Sequence, residues 1–192
     1  MVLSTLLYGS ESWVTYRSHL RLLERFHQRC LRAILGIHWS AFVTNVEVLE
    51  RAGVTSIETM LLKSQLRWAG HVSRMQDHRL PKIAMNGELS SGQRDRGAPK
   101  KRYKDCLKKS LRSCEIDHRQ LADLAADRIA WRQKINQGVT IFENSRTALL
   151  KEKRELRKTR ASATSVPDQT FPCTRCSRPC RSRIGLLGLE RA

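Results

Sequence analysis

Apolar residues recur at intervals of three and four along most of the chain, and the strict alternation that marks a strand is almost absent. From Ser18 to Ile37, Leu23, Phe26, Cys30, Ile34 and Ile37 form one stripe, with Arg21, Arg25, Arg29 and Arg32 elsewhere around the wheel. This predicts an amphipathic helix ended near Gly36. Thr44 followed by Glu47, with Gly53 just past Leu49 and Ala52, predicts a short capped helix. Thr55 with Glu58 repeats the signature before a longer helix through Met60, Leu61, Trp68 and Val72 to about Met75, closed by Pro81.

The pattern then collapses. Between Asn86 and Pro99, Gly87, Ser90, Ser91, Gly92 and Gly97 stand among charges, which is loop chemistry. Beyond it Tyr103, Leu107, Leu111 and Cys114 mark one helix face. Asp117 with Gln120, and then Asp127, predict N-caps of two short helices, the second carrying Ile129, Trp131 and Ile135 and ending at Gly138. A last helix from about Thr140 loses its stripe after Leu150 and becomes a charged rod to Arg160. Trp39–Val43 has β-like residues but no partner strand. The expected fold is therefore all-α: a small multi-helix bundle in two lobes, residues 1–85 and 86–160. It carries a long basic C-terminal helix and, past the small-residue linker Ala161–Thr170, a flexible cysteine-containing tail at 161–192. Met1–Tyr8 reads as a buried strand or helix end that packs on something preceding it.

Charge narrows the partners. Lysine and arginine number 36 against 18 acidic residues in 192, a net +18, which predicts a polyanionic partner. No stretch is apolar for long enough to span a bilayer, and no basic leader with a cleavage site opens the chain. Cys30, Cys106 and Cys114 sit on helical patterns as small hydrophobes rather than in a secreted disulfide framework, which points to an intracellular setting.

Several runs carry a resemblance. Leu6-Leu7-Tyr8-Gly9-Ser10-Glu11-Ser12-Trp13 is followed by Phe26-His27-Gln28-Arg29-Cys30-Leu31-Arg32 and Ile34-Leu35-Gly36-Ile37. Asn45-Val46-Glu47-Val48-Leu49-Glu50-Arg51-Ala52-Gly53 comes next, then Gln65-Leu66-Arg67-Trp68-Ala69-Gly70-His71-Val72, Arg74-Met75 and Arg79-Leu80-Pro81-Lys82. Lys100-Lys101-Arg102-Tyr103-Lys104-Asp105 and Asp127-Arg128-Ile129-Ala130-Trp131-Arg132 complete the succession. In this order they resemble the region downstream of the polymerase core in the endonuclease/reverse transcriptase proteins of LINE-type (non-LTR) retrotransposons. The resemblance implies a segment that follows the thumb, holds template RNA or target DNA, works beside a polymerase core and reaches the nucleus. A cysteine/histidine finger commonly ends such chains.

Catalytic chemistry is not expected. A reverse transcriptase palm needs clustered aspartates to hold two metal ions, whereas Asp77, Asp95, Asp105, Asp117, Asp123, Asp127 and Asp168 are isolated and no two acidic residues adjoin. Arg67, Trp68, His71 and Arg74 share a helix, but His71 has no acidic neighbour to orient it, so packing or phosphate contact is its reading, and Gly70 permits close helix packing. Trp13, Trp39 and Trp131 read as core anchors. No small-molecule substrate is indicated.

Binding chemistry concentrates in two runs. Arg94 to Arg112 holds nine basic residues against Asp95 and Asp105, a net +7. Arg94, Arg96, Lys100, Lys101, Arg102, Lys104, Lys108, Lys109 and Arg112 are the candidate phosphate contacts, and Tyr103 the candidate base-stacking residue. The plainer reading is a solvated helix face with Tyr103 in the core. Arg146 to Arg160 carries net +5, with Glu152 and Glu155 placed for pairing along an exposed helix. The expected function is non-catalytic binding of RNA or DNA; the rival reading is a helical interaction scaffold or inert transposon relic.

Cys173-Thr174-Arg175-Cys176 has the spacing of a zinc knuckle, and Cys180 offers a third thiolate. Aligned with the family's finger, Leu189 stands at the usual histidine position, and the last histidine of the chain is His118. No cofactor is expected, and the purified chain should not retain stoichiometric zinc after dialysis against a mild chelator. Metal analysis checks this. Zinc that stays bound, and is lost in Cys173→Ser, would mean that another ligand completes the site.

Overall fold

Each stripe of apolar residues predicted from periodicity lies on a helix, and the fold is all-α. A computed structural model describes residues 2–87, 96–97, 101–163, 171–172 and 179–180, with the backbone alone at 161–163 and 179–180. In chain order the described helices are α1 (Val2–Leu6), α2 (Arg17–Ile34), α3 (Asn45–Ala52), α4 (Ile57–Ser73), α5 (Leu80–Asn86), α6 (Tyr103–Ser113), α7 (Leu121–Ala126) and α8 (Arg128–Ala163). Short 3₁₀ turns at Ser10–Ser12, Trp39–Ala41 and His118–Gln120 link them. Two residues of β1 (Phe171–Pro172) pair antiparallel with two of β2 (Pro179–Cys180), Phe171 opposite Cys180.

The middle of the chain is α4. Nine of its residues are buried, among them Ile57, Leu61, Leu66, Ala69 and Val72, because α2, α5, α6, α7 and the Ser10–Ser12 turn all pack on it. A helix apolar on most of its circumference must be covered this way. One core cluster joins α4 to Met85, Leu107, Leu111, Cys114, Ile116, Ala125, Trp131, Ile135 and Val139. The lobe boundary expected near residue 85 therefore runs through a shared core. The chain divides instead into Met1–Ala148 and Leu149–Ala192.

Two glycines set how closely helices approach. A methyl on Gly70 would sit 2.0 Å from Nε1 of Trp131, whose indole lies across α4 and donates to the Leu66 carbonyl at 3.3 Å. The helix end expected at Gly138 does not occur, and α8 runs on for 36 residues. A glycine costs a helix interior about 1 kcal/mol relative to alanine. Here it makes room, since a methyl at 138 would meet the Cys114 Cβ at 2.6 Å.

Caps explain most element starts. Thr44 Oγ1 accepts from the Glu47 N–H at 3.1 Å, as its spacing predicts, and Gly53 ends α3 with φ of 63°. For α4 the cap is Ser56 rather than Thr55: its Oγ accepts from the Thr59 N–H at 3.3 Å. Asp117 and Asp127 each accept from the N–H two residues on. Pro81 opens α5 instead of closing α4, since a helix's first turn needs no N–H from it.

Periodicity misplaces the buried face of α2. Of the predicted stripe, Phe26 and Ile34 are exposed and Leu23, Cys30 and Ile37 half-buried, while His27 and Gln28 are buried, with Leu20 and Leu31 half-buried. Two polar residues of this inward face find partners, though His27 does not: Glu24 accepts from the Ile57 N–H at 3.3 Å, and Gln28 donates to the Asn45 carbonyl at 3.2 Å. Trp39 at 77% exposure is no core anchor, and Trp39–Ala41 is a 3₁₀ turn rather than a strand. Trp13 is half-buried and Trp131 buried. In α1 no residue is buried.

Two stability tests follow from the packing. Gly70→Ala should destabilise the fold by about 1–3 kcal/mol, the usual cost of overpacking a fitted contact, read as a lower denaturation midpoint in urea. His27 is 2% exposed and neither ring nitrogen has a hydrogen-bond partner; burial lowers its pKa against the weaker raising effect of Glu24. The unfolded chain takes up a proton on this ring near the ordinary value of about 6.5, and the fold does so only at lower pH. Stability is thus retained above that value and falls as pH drops through it. Denaturation at about pH 7.5 and about pH 5.5, on either side of that value, should show a smaller acid loss in His27→Leu than in the parent chain.

Candidate nucleic-acid interface

Buried Leu107 and Leu111 orient α6, and the basic residues take what is left of its circumference. Lys108, Lys109 and Arg112 are exposed and make no ion pair among the described residues. Three cations within five positions thus face solvent with their charge intact. The other candidates are differently placed. Arg102 is exposed but bound to Asp105, Nε to Oδ2 at 2.9 Å, and that hydrogen bond holds the Asp105 carboxyl below its usual range. Lys101 lies with Nζ 4.7 Å from the centre of the Tyr16 ring and 3.4 Å from the Thr15 carbonyl. Lys104 is half-buried and engaged in an interaction of its own. Arg96 is exposed in a turn with Gly97, whereas Arg94 and Lys100 lie outside the described residues.

Tyr103 is a packing residue. Its ring meets Trp68 edge-on with centroids 5.5 Å apart, and its hydroxyl donates to the Glu11 carbonyl at 3.0 Å. Burial, with Glu11 and Cys106 adding to it, pushes its pKa up. Half-buried and packed against the core cluster, the ring matches the core reading of the two. Between α2, α4 and α6 opens a cavity of about 140 Å³ with Arg17, Lys101 and Lys109 among its walls, together with Ser110 and Ser113. Glu58 lines it too and holds Arg17 at 2.9 Å, while Lys101 and Lys109 make no ion pair among the described residues.

The second basic run is less open than its charge suggests. Arg146 turns inward and reaches Glu24 at 3.3 Å, Glu143 at 3.4 Å and Glu58 at 3.6 Å. Glu143 also accepts from Ser56 at 2.9 Å and from Thr59. Three carboxylates thereby converge on the start of α4, where exposed amide dipoles favour negative charge. Further along, Lys158 pairs with Glu155 at 2.8 Å, as i, i+3 spacing allows.

One basic surface was assigned no role on sequence grounds. Arg21, Arg25 and Arg29 stand exposed along α2 and make no ion pair among the described residues. Their signal is the excess of arginine on the helix, five against the single acid Glu24. His71 is exposed, and Arg74 donates to the Ala125 carbonyl at 2.7 Å, so these two form no catalytic pair.

Of the metal candidates, Cys173 and Cys176 lie outside the described residues, and Cys180 sits in β2. Among the described residues no group of histidine, cysteine and carboxylate side chains is arranged to hold a metal. Nor is any described helix long and apolar enough to cross a membrane. Compared with known proteins, the chain matches no family model, no curated protein and no solved structure.

Proposed function

We propose that this chain is a non-catalytic nucleic-acid-binding segment of a LINE-type retrotransposon reverse transcriptase, gripping RNA or DNA through the phosphate backbone. The observation that carries the binding is the basic face of α6: Lys108, Lys109 and Arg112 are exposed on one helix and form no ion pair among the described residues. The net +18 of the whole chain adds a long-range field of the same sign. The family assignment rests on the ordered sequence runs from Leu6 to Arg132. It brings with it a polymerase core as partner and a nuclear site of action. Contacts of this kind fix position on a backbone and carry little sequence preference.

A second reading, a helical scaffold for a protein partner, draws on Tyr8, Ile34, Trp39 and Phe42, all largely exposed. Binding measurements separate the two. Purified chain should bind short RNA and DNA with an affinity that falls steeply with salt, because each phosphate contact releases counterions. The triple change Lys108→Ala, Lys109→Ala, Arg112→Ala should weaken both and flatten the log–log salt slope by about two to three units. Unchanged affinity and slope in a variant that remains helical by circular dichroism would favour the scaffold.

A further inference from the structure

The basic residues of α2 are all arginine. The helix carries Arg17, Arg21, Arg25, Arg29 and Arg32 against the single acid Glu24, which is spent on Arg146 and the start of α4. Two of the five have structural duties: Arg17 pairs with Glu58, and Arg32 donates to the Val43 carbonyl at 2.8 Å and to Asn45 Oδ1 at 2.9 Å. Arg21, Arg25 and Arg29 remain, exposed and spaced four residues apart. Four residues advance a helix by about 6 Å, a step comparable to the separation of successive phosphates along a strand. An open groove of about 550 Å³ beside this row is lined by the three arginines together with Glu24, Gln28, Arg32 and Asn45.

A second row lies next to the first. Leu22 at 56% exposure and Phe26 at 45% each follow an arginine of the row by one position, about 100° further round the helix. Each keeps about half of its surface open to solvent. Guanidinium forks beside exposed apolar side chains, one of them aromatic, make the combination that unpaired nucleic acid requires: charge for the backbone and a flat surface for a base. In a duplex the bases are stacked on one another and cannot reach such a row. An acidic peptide or a lipid headgroup also offers a carboxylate or phosphate to a guanidinium fork, but neither supplies an unpaired base to lie on the aromatic ring beside it.

Resting on the nucleic-acid reading given above, we propose that α2 is a second and separate contact, a rail for single-stranded nucleic acid. Its backbone phosphates meet Arg21, Arg25 and Arg29, while a base stacks on Phe26 beside Leu22. Bidentate guanidinium–phosphate pairing gives the rail its grip, and lysine cannot reproduce that geometry.

The test uses the full chain and fluorescence anisotropy with short single-stranded RNA and DNA, the matching duplex, an abasic strand of equal length, and anionic phospholipid vesicles. Replacing Arg21, Arg25 and Arg29 together with lysine keeps the net charge, yet should weaken single-strand binding at least several-fold; replacing them with alanine should also flatten the salt slope by about two units. Phe26→Ala should weaken the normal single strand about fivefold or more and leave the abasic strand unaffected. The three arginine side chains are exposed, so their variants should keep the parent's helicity and urea midpoint; Phe26→Ala loses some packing, and its binding is read below its own unfolding transition. If the parent chain binds no nucleic acid, the rail and the broader reading fall together. If the parent binds and the α6 triple variant is weakened while every α2 variant matches the parent, the rail alone is overturned. It is equally overturned if Phe26→Ala weakens the abasic strand or duplex as much as the normal strand, or if the arginine variants lose vesicle binding and keep the single strand.

Discussion

The arrangement depends on an absence, the missing side chain at Gly70. Trp131 occupies the space where a Cβ would stand, and its Nε1 reaches a carbonyl of α4. From that point α8 continues past Cys114, where Gly138 removes a second obstruction. Interiors are packed as densely as organic crystals, so a methyl group in either place has nowhere to go. Helix order, the depth of Ile135 and Val139 in the core and the position of Arg146 all inherit this approach.

Arg146 shows how the fold decides which charges are available outside. Glu24, Glu58 and Glu143 come from three helices and meet around one guanidinium at the start of α4. The acids of this region are thereby consumed internally, and the cations that lack such partners are left on α2 and α6. A charge count along the chain rates Arg146 and Arg112 alike. Only the fold distinguishes an internal counter-ion from a surface one.

That distinction marks what was legible in the sequence. The helical class, the Thr44 cap, the αL glycine at 53 and the inward face of α6 follow from spacing, because local hydrogen bonding and periodicity determine them. Gly138 was misread, since a glycine that ends a helix and one that admits a neighbour look the same until the neighbour is known. The inward face of α2 was hidden for a related reason: Glu24 and Gln28 are polar, and their partners at Ile57 and Asn45 are remote in sequence. Within the candidate site, Lys108, Lys109 and Arg112 were identifiable by charge alone. Tyr103 was ambiguous because the choice between stacking and packing turns on Trp68 and Glu11, far away along the chain.

Cys114 lies at the second of these close approaches, against Gly138, with its thiol pushed up to about 11 by burial. A thiol so placed stays protonated at neutral pH and out of reach of reagents, while half-buried Cys30 and Cys106 lie nearer the surface. Its alkylation must then wait for the end of α6 to part from α8. When closing outpaces labelling, the rate of modification at this sulfur reports the equilibrium population of opened molecules. The chain therefore carries, where Gly138 admits the end of α6, its own clock for the separation of these helices.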